Sequence, residues 1–143
     1  MSRIFWDTNL FIYFFEQHPV YAKAIARLRS KMTQRGDDLV TSWMTVGEVQ
    51  VQPRLMGNPT LGLTLKNSIM EAASIVDFNK QAAEHYVGIR ATTKVKGPDA
   101  IQLACAAYSG VELFVTNDAA LQRVRVDGIH FIVSIETALQ VLT

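Results

Sequence analysis

At 143 residues the chain is long enough for one domain that buries about two-thirds of its surface, and residues 1–143 are read as that domain. Its 49% hydrophobic and 19% charged residues fit a soluble globular protein, and a net charge of +1 excludes a strong global field for nucleic acid, so any basic surface has to be local. A lone cysteine, Cys105, excludes an internal disulfide and a cysteine metal site and suits a reducing cytoplasm. No apolar run approaches the roughly 18 residues of a membrane span. The short N-terminal apolar stretch is broken by Asp7 and Glu16 and does not read as a signal peptide.

Ile4-Phe5-Trp6 reads as a short buried strand that ends abruptly in Asp7-Thr8-Asn9. An acid, a hydroxyl and an amide before a new apolar run read as a helix N-cap, so a helix over 9–17 follows, stopped near His18-Pro19. Pro19 is expected to open the next helix, on which Val20, Ala24, Ile25, Leu28 and Met32 recur at helical spacing until Gly36. Asp37-Asp38 reads as a solvated loop. Leu39–Trp43 is a second strand, followed by a short helix over Val46–Val51 that carries Glu48 and is broken at Pro53. A helix over Leu61–Ala73, a strand over Ser74–Phe78 and a helix over Lys80–Thr92 come next. Lys94–Asp99 is a basic loop leading into Ala100–Tyr108, an alanine-rich helix apolar on most faces and therefore buried. Leu113–Thr116 is a fourth strand, running into Asn117-Asp118 and a short helix over Ala119–Val124. His130–Val133 is a fifth strand and Ser134–Leu142 a closing helix. This alternation predicts an α/β fold, a mostly parallel sheet of about five strands with helices on both faces.

Four acids stand at strand ends or helix starts. Asp7 and Asp118 each follow an apolar strand, and parallel strands would bring both to the C-terminal edge of the sheet, where such folds bind ligands. Asp99 opens the buried helix, and Glu48 lies one turn into an otherwise apolar one. Each has a plainer reading: Asp7 as a cap, Asp99 as a charge favourable to a helix dipole, Glu48 as an exposed glutamate. Together they repel unless a cation sits among them, and hard oxygen ligands suit Mg²⁺ or Mn²⁺.

Asp7-Thr8-Asn9 after a strand, Thr45-Val46-Gly47-Glu48, Pro98-Asp99-Ala100-Ile101 opening an alanine-rich helix, and Thr116-Asn117-Asp118 after a strand resemble the PIN-domain ribonucleases. Size and motif order are similar to the VapC-type toxins of bacterial toxin–antitoxin pairs, and the resemblance covers essentially the whole chain. It implies a PIN-like fold, metal-binding catalytic acids at Asp7, Glu48, Asp99 and Asp118, and supporting roles for Thr8, Asn9 and Thr116 in orienting ligands or water. It further implies Mg²⁺- or Mn²⁺-dependent endoribonuclease cleavage of single-stranded or loop RNA, and a protein antitoxin as partner. Ala119-Ala120-Leu121 departs from the family by lacking an aromatic often found after the last acid.

Lys94 and Lys96, and more distantly Arg54, are candidates for holding RNA phosphate; their plain reading is a solvated surface. Phe5, Trp6, Phe11, Tyr13, Phe14 and Phe15 crowd one short segment, and the surplus over core needs predicts a homodimer through residues 9–17 or 20–34, or an antitoxin surface. His18, His85 and His130 are scattered and read as neither ligands nor bases, and Cys105 reads as a small buried hydrophobe. Rivals to the nuclease reading are another metal-dependent phosphoryl-transfer enzyme such as a phosphatase, a non-catalytic metal- or RNA-binding module, and a receiver-type switch. No Asp-x-Asp pair follows the first strand to support the phosphatase.

Overall fold

A computed structural model describes residues 1–142; Thr143, the last residue of the expected domain, lies outside the described residues. Period-two alternation in the first strand decides the layering. In β1 (Arg3–Trp6), Ile4 and Trp6 point into one core cluster and Phe5 into the other. Strand β4 (Leu113–Val115) repeats the pattern, with Leu113 and Val115 on the first side and Phe114 on the second. Phe5 and Phe114 are register partners, and their rings stack with centroids 5.0 Å apart.

Five strands make one sheet in the order β3-β2-β1-β4-β5, with β2 at Asp38–Ser42, β3 at Ser74–Val76 and β5 at Phe131–Val133. Every pairing is parallel. Helices α1 (Thr8–Phe15), α2 (Ala22–Arg35) and α7 (Ile135–Val141) supply the first cluster, together with Val46 and Val49 of α3 (Trp43–Leu55) and Ile69 of α4 (Pro59–Ala72). Helices α5 (Lys80–Thr92) and α6 (Gly97–Ser109) cover the other face. The expected α/β fold, a parallel five-stranded sheet with helices on both faces, is therefore what the chain forms. Strand order reverses at β1: β2 and β3 build outward on one side of it, β4 and β5 on the other. That switch point is where open sheets of this kind leave a crevice at the strand C-termini.

Several boundaries differ from expectation for local reasons. Pro19 does not open α2, because the His18 Nδ1 accepts bonds from the Val20 and Tyr21 amides and holds a turn until Ala22. Helix α3 starts at Trp43 and continues through Pro53 to Leu55; a proline so near the end forfeits only one backbone bond. The helix expected over 119–124 shrinks to a 3₁₀ turn at Leu121–Arg123. There the Asp118 side chain accepts a bond from the Ala120 amide, and this local turn competes with an α-helical start. Asp37 is not solvated: its carboxylate accepts from the Ser2 amide and pairs with Arg35 at 2.7 Å. Among the described residues no helix is long and apolar enough to cross a membrane.

Candidate metal and nucleic-acid site

Asp7 immediately follows β1 and caps α1, with Oδ1 accepting from the Thr8 amide at 2.8 Å. Its Oδ2 accepts from Thr116 Oγ1 at 2.8 Å, just beyond β4. Thr116 Oγ1 in turn accepts from the Asp118 amide at 3.1 Å. One threonine hydroxyl thus ties the first acid to the loop that carries the last, across the switch point. Thr8 does the equivalent on the other side: its Oγ1 donates to Glu48 Oε1 at 2.7 Å, on α3. Asp99 sits in the first turn of α6.

Electrostatics links the same four acids. Burial pushes the Asp7 carboxyl up to about 6; the bonds from Thr116 and Thr8 oppose the rise, and the charges of Asp99 and Glu48 add to it. Asp99 is also raised, first by burial and then by the charge of Asp118, with Lys96 pulling it back. Asp7 is buried, Asp99 half-buried, and Glu48 and Asp118 are exposed. Among the described residues no three acidic, imidazole or thiol groups already converge into a metal cage. The acids therefore stand around an open edge, near enough to feel one another and not in contact.

A family model described as PIN domain matches residues 4–127. The chain belongs to the PIN domain family. Solved structures similar in fold to this PIN domain include VapBC2 from Rickettsia felis bound to a promoter DNA fragment. Its TM-score is 0.75 at 14% identity, with 92% of this chain and 98% of that chain covered. A DNA-bound VapBC from Salmonella typhimurium gives a TM-score of 0.72 at 22% identity, covering 94% and 99% of the two chains. VapBC-5 from Mycobacterium tuberculosis, of the VapBC family of toxin-antitoxin systems, gives 0.63 at 17% identity, covering 94% and 99%. No curated protein matches the chain.

Beneath the acidic edge of this PIN domain lies a polar network that sequence reading missed. Gln102, buried on α6, donates through Nε2 to Thr8 Oγ1 at 3.0 Å and to Thr45 Oγ1 at 2.7 Å. Its Oε1 accepts from Ser42 Oγ. Thr8 and Thr45 hydroxyls lie 3.0 Å apart. Both Gln102 protons are spent on the two threonine oxygens, and Thr45 can donate only toward Thr8, so the single Thr8 proton is left for Glu48. The signal was a glutamine among Ala100, Ile101, Leu103, Ala104 and Cys105, since a polar group on a buried helix needs partners. It lies three residues beyond Asp99 and so shares its helix face.

Other expected residues fall in different places. Asn9 lies in the first turn of α1, and its Oδ1 is buried with no bonding partner. Asn117 Nδ2 donates to the Tyr13 hydroxyl at 3.3 Å, joining α1 to the Asp118 loop. Lys96 precedes α6 beside Asp99, and Lys94 is exposed two residues earlier. Arg54 stands exposed in the last turn of α3 without a bond to the acids. Cys105 is fully buried and its thiol is pushed up to about 11, chiefly by burial.

The donor set fits a hard divalent cation. It consists of carboxylate oxygens with no sulfur or imidazole among them, one acid is held up toward neutrality by burial and its neighbours, and a buried amide oxygen on Asn9 lacks a donor. Asp7, Glu48, Asp99 and Asp118 are the residues that could hold such an ion.

Proposed function

We propose that this PIN domain is a metal-dependent endoribonuclease, with Asp7, Glu48, Asp99 and Asp118 holding Mg²⁺ or Mn²⁺, and that it acts as the toxin of a toxin–antitoxin pair. The single observation that carries the reading is the arrangement at the sheet's switch point, where Thr116 Oγ1 joins Asp7 to the Asp118 amide and Thr8 Oγ1 holds Glu48, with burial and like charges raising Asp7. A buried acid among acids is costly without a cation, and at neutral pH a divalent ion supplies Lewis-acid activation of water and charge neutralisation at a phosphodiester. The chain's own residues do the rest. Thr116 and the Thr8 amide fix both oxygens of Asp7, Thr8 Oγ1 fixes one oxygen of Glu48, and Lys96 offers a positive charge to a phosphate beside Asp99. The toxin assignment is supported by fold likeness to structures named as VapBC complexes.

Purified protein incubated with single-stranded RNA should cleave it in Mg²⁺ or Mn²⁺ and stop in EDTA. Undiminished cleavage in chelator, or none with either ion, overturns the nuclease reading. Co-expression with the product of a short neighbouring regulator-like gene should suppress cleavage; unchanged cleavage in a purified complex of the two would remove the toxin–antitoxin part.

A further inference from the structure

A second cluster lies beside the acidic edge and takes no part in it. Phe78, just past β3, and Tyr86, on α5, have ring centroids 5.8 Å apart. The Arg90 guanidinium lies over the Tyr86 ring at 5.8 Å, and its Nη1 donates to the Tyr86 hydroxyl at 2.9 Å. A Cβ built on Gly97 would lie 3.6 Å from Arg90 Nη1 and 3.7 Å from the Tyr86 hydroxyl. The Tyr86–Arg90 pair therefore abuts the first residue of α6, two positions before Asp99.

The lysines continue this cluster toward the acids. Val95 packs against the same core as Tyr86, while Lys94 and Lys96 on either side of it stand in solvent. Arg90, Lys94 and Lys96 are exposed, and none of them forms an ion pair among the described residues. Phe78 is 42% exposed, an aromatic ring left in solvent beside Tyr86 and, through it, the Arg90 guanidinium. An exposed ring offers a face to an unpaired base, and cations beside it offer charge to the phosphates on either side. A base within a duplex has both faces already covered by its neighbours.

We propose that Phe78, Tyr86 and Arg90, with Lys94 and Lys96, form a stacking platform for an unpaired base of single-stranded nucleic acid. The strand's backbone follows the lysines toward Asp99. The nuclease reading supplies only the strand's destination; binding at the platform stands without it.

The test uses the whole metal-free protein in EDTA, so that nothing is cut, and follows fluorescence anisotropy. The probes are fluorescein-labelled single strands of roughly a dozen nucleotides, RNA and DNA of one sequence, and the RNA annealed to its complement. Single strands should bind more tightly than the duplex at equal salt. Phe78→Leu, which keeps an apolar group at an exposed position, should weaken single-strand binding about fivefold or more with no change in salt slope. Tyr86→Phe, which keeps the ring, should retain affinity. Lys94→Gln with Lys96→Gln should lower the log–log salt slope by about one to two. Tighter RNA than DNA binding adds a 2′-hydroxyl contact, and equal binding assigns recognition to base and phosphate; both support the platform. Wild-type affinity in a folded Phe78→Leu protein, or a duplex bound as tightly as the single strand, overturns it. The two readings fail separately: binding without metal-dependent cleavage sinks only the nuclease, and cleavage with unaltered Phe78→Leu binding sinks only the platform.

Discussion

Asp7 carries two roles that one substitution separates. Asparagine caps a helix about as well as aspartate, so Asp7→Asn should keep α1 and the fold while cleavage falls to background. Its effect on stability depends on pH with a definite sign. The folded-state value of about 6 lies above the ordinary 3.8, so the folded protein holds this proton more tightly than the unfolded chain. That contribution is complete below about pH 4 and is lost as pH rises through about 6, leaving an ionised-acid cost on the order of 2–3 kcal/mol. In metal-free thermal melts the gain of Asp7→Asn over wild type should therefore grow across that window, and Mn²⁺ should cancel it. A gain that is flat with pH would mean Asp7 is not held up by its surroundings. Gln102 tests a different link. Gln102→Leu takes one partner from each of the buried Thr8, Thr45 and Ser42 hydroxyls and should cost about 1–3 kcal/mol. It also frees the Thr8 proton from Glu48, so Mn²⁺ affinity measured well below the melting point should drop about tenfold or more. Lower stability with unchanged Mn²⁺ affinity would leave Gln102 a packing residue alone. The four acids were visible in sequence because each follows a strand or starts a helix. Gln102 was not, because its partners Thr8 and Thr45 lie 94 and 57 residues away in the chain.

Elements were legible where local chemistry and packing agree. Asn79 caps α5 through a bond to the Ala82 amide, no proline interrupts Lys80–Thr92, and both ends fell where read. They were illegible where a side chain supplied a turn that composition does not announce, as His18 and Asp118 do, or where Pro53 fell in a helix's last turn and was tolerated. The link from β4 to β5 shows what replaces the helix expected there. Gly128 has φ +97°, and a Cβ placed on it would lie 2.7 Å from the Ala107 carbonyl oxygen on α6. This return loop is thus pressed onto backbone that cannot retreat, and only glycine fits. Gly128→Ala should destabilise by more than about 1 kcal/mol, lowering the melting temperature by about 3 °C or more in a domain of this size. The acidic edge lies at the opposite end of β4, so metal affinity in the folded variant should be unchanged. A melting temperature equal to wild type would show that the loop shifts freely.

For the whole molecule, a net charge of +1 leaves association to local surface chemistry. The aromatic crowding near the N-terminus is mostly absorbed: Phe5, Trp6 and Phe11 are buried, Tyr13 and Phe15 half-buried, and only Phe14 stands exposed, at 39%. The solvent face of α2 is mostly polar, with Lys23, Arg27, Ser30, Thr33 and Gln34 exposed, and Val20 just before it is the large apolar side chain left in solvent over 20–34. A cluster of uncovered apolar side chains lies where α3 meets α4. Leu55 is 76% exposed, Met56 73%, and Leu61 and Leu63 also stand in solvent. These four sit around the turn at Gly57-Asn58, so they form one end of a helical hairpin and not scattered single residues. Contiguous apolar surface of this kind favours a self-complementary two-fold contact. We therefore expect a homodimer through the α3–α4 end, with light scattering giving about twice 15.9 kDa at micromolar concentration. Leu55→Glu with Met56→Glu should convert it to monomer at unchanged secondary structure, because neither side chain is part of the core. A wild-type protein that scatters as monomer removes the dimer, and a double variant that remains dimeric moves the contact elsewhere, with Phe14 of α1 the next apolar group to test.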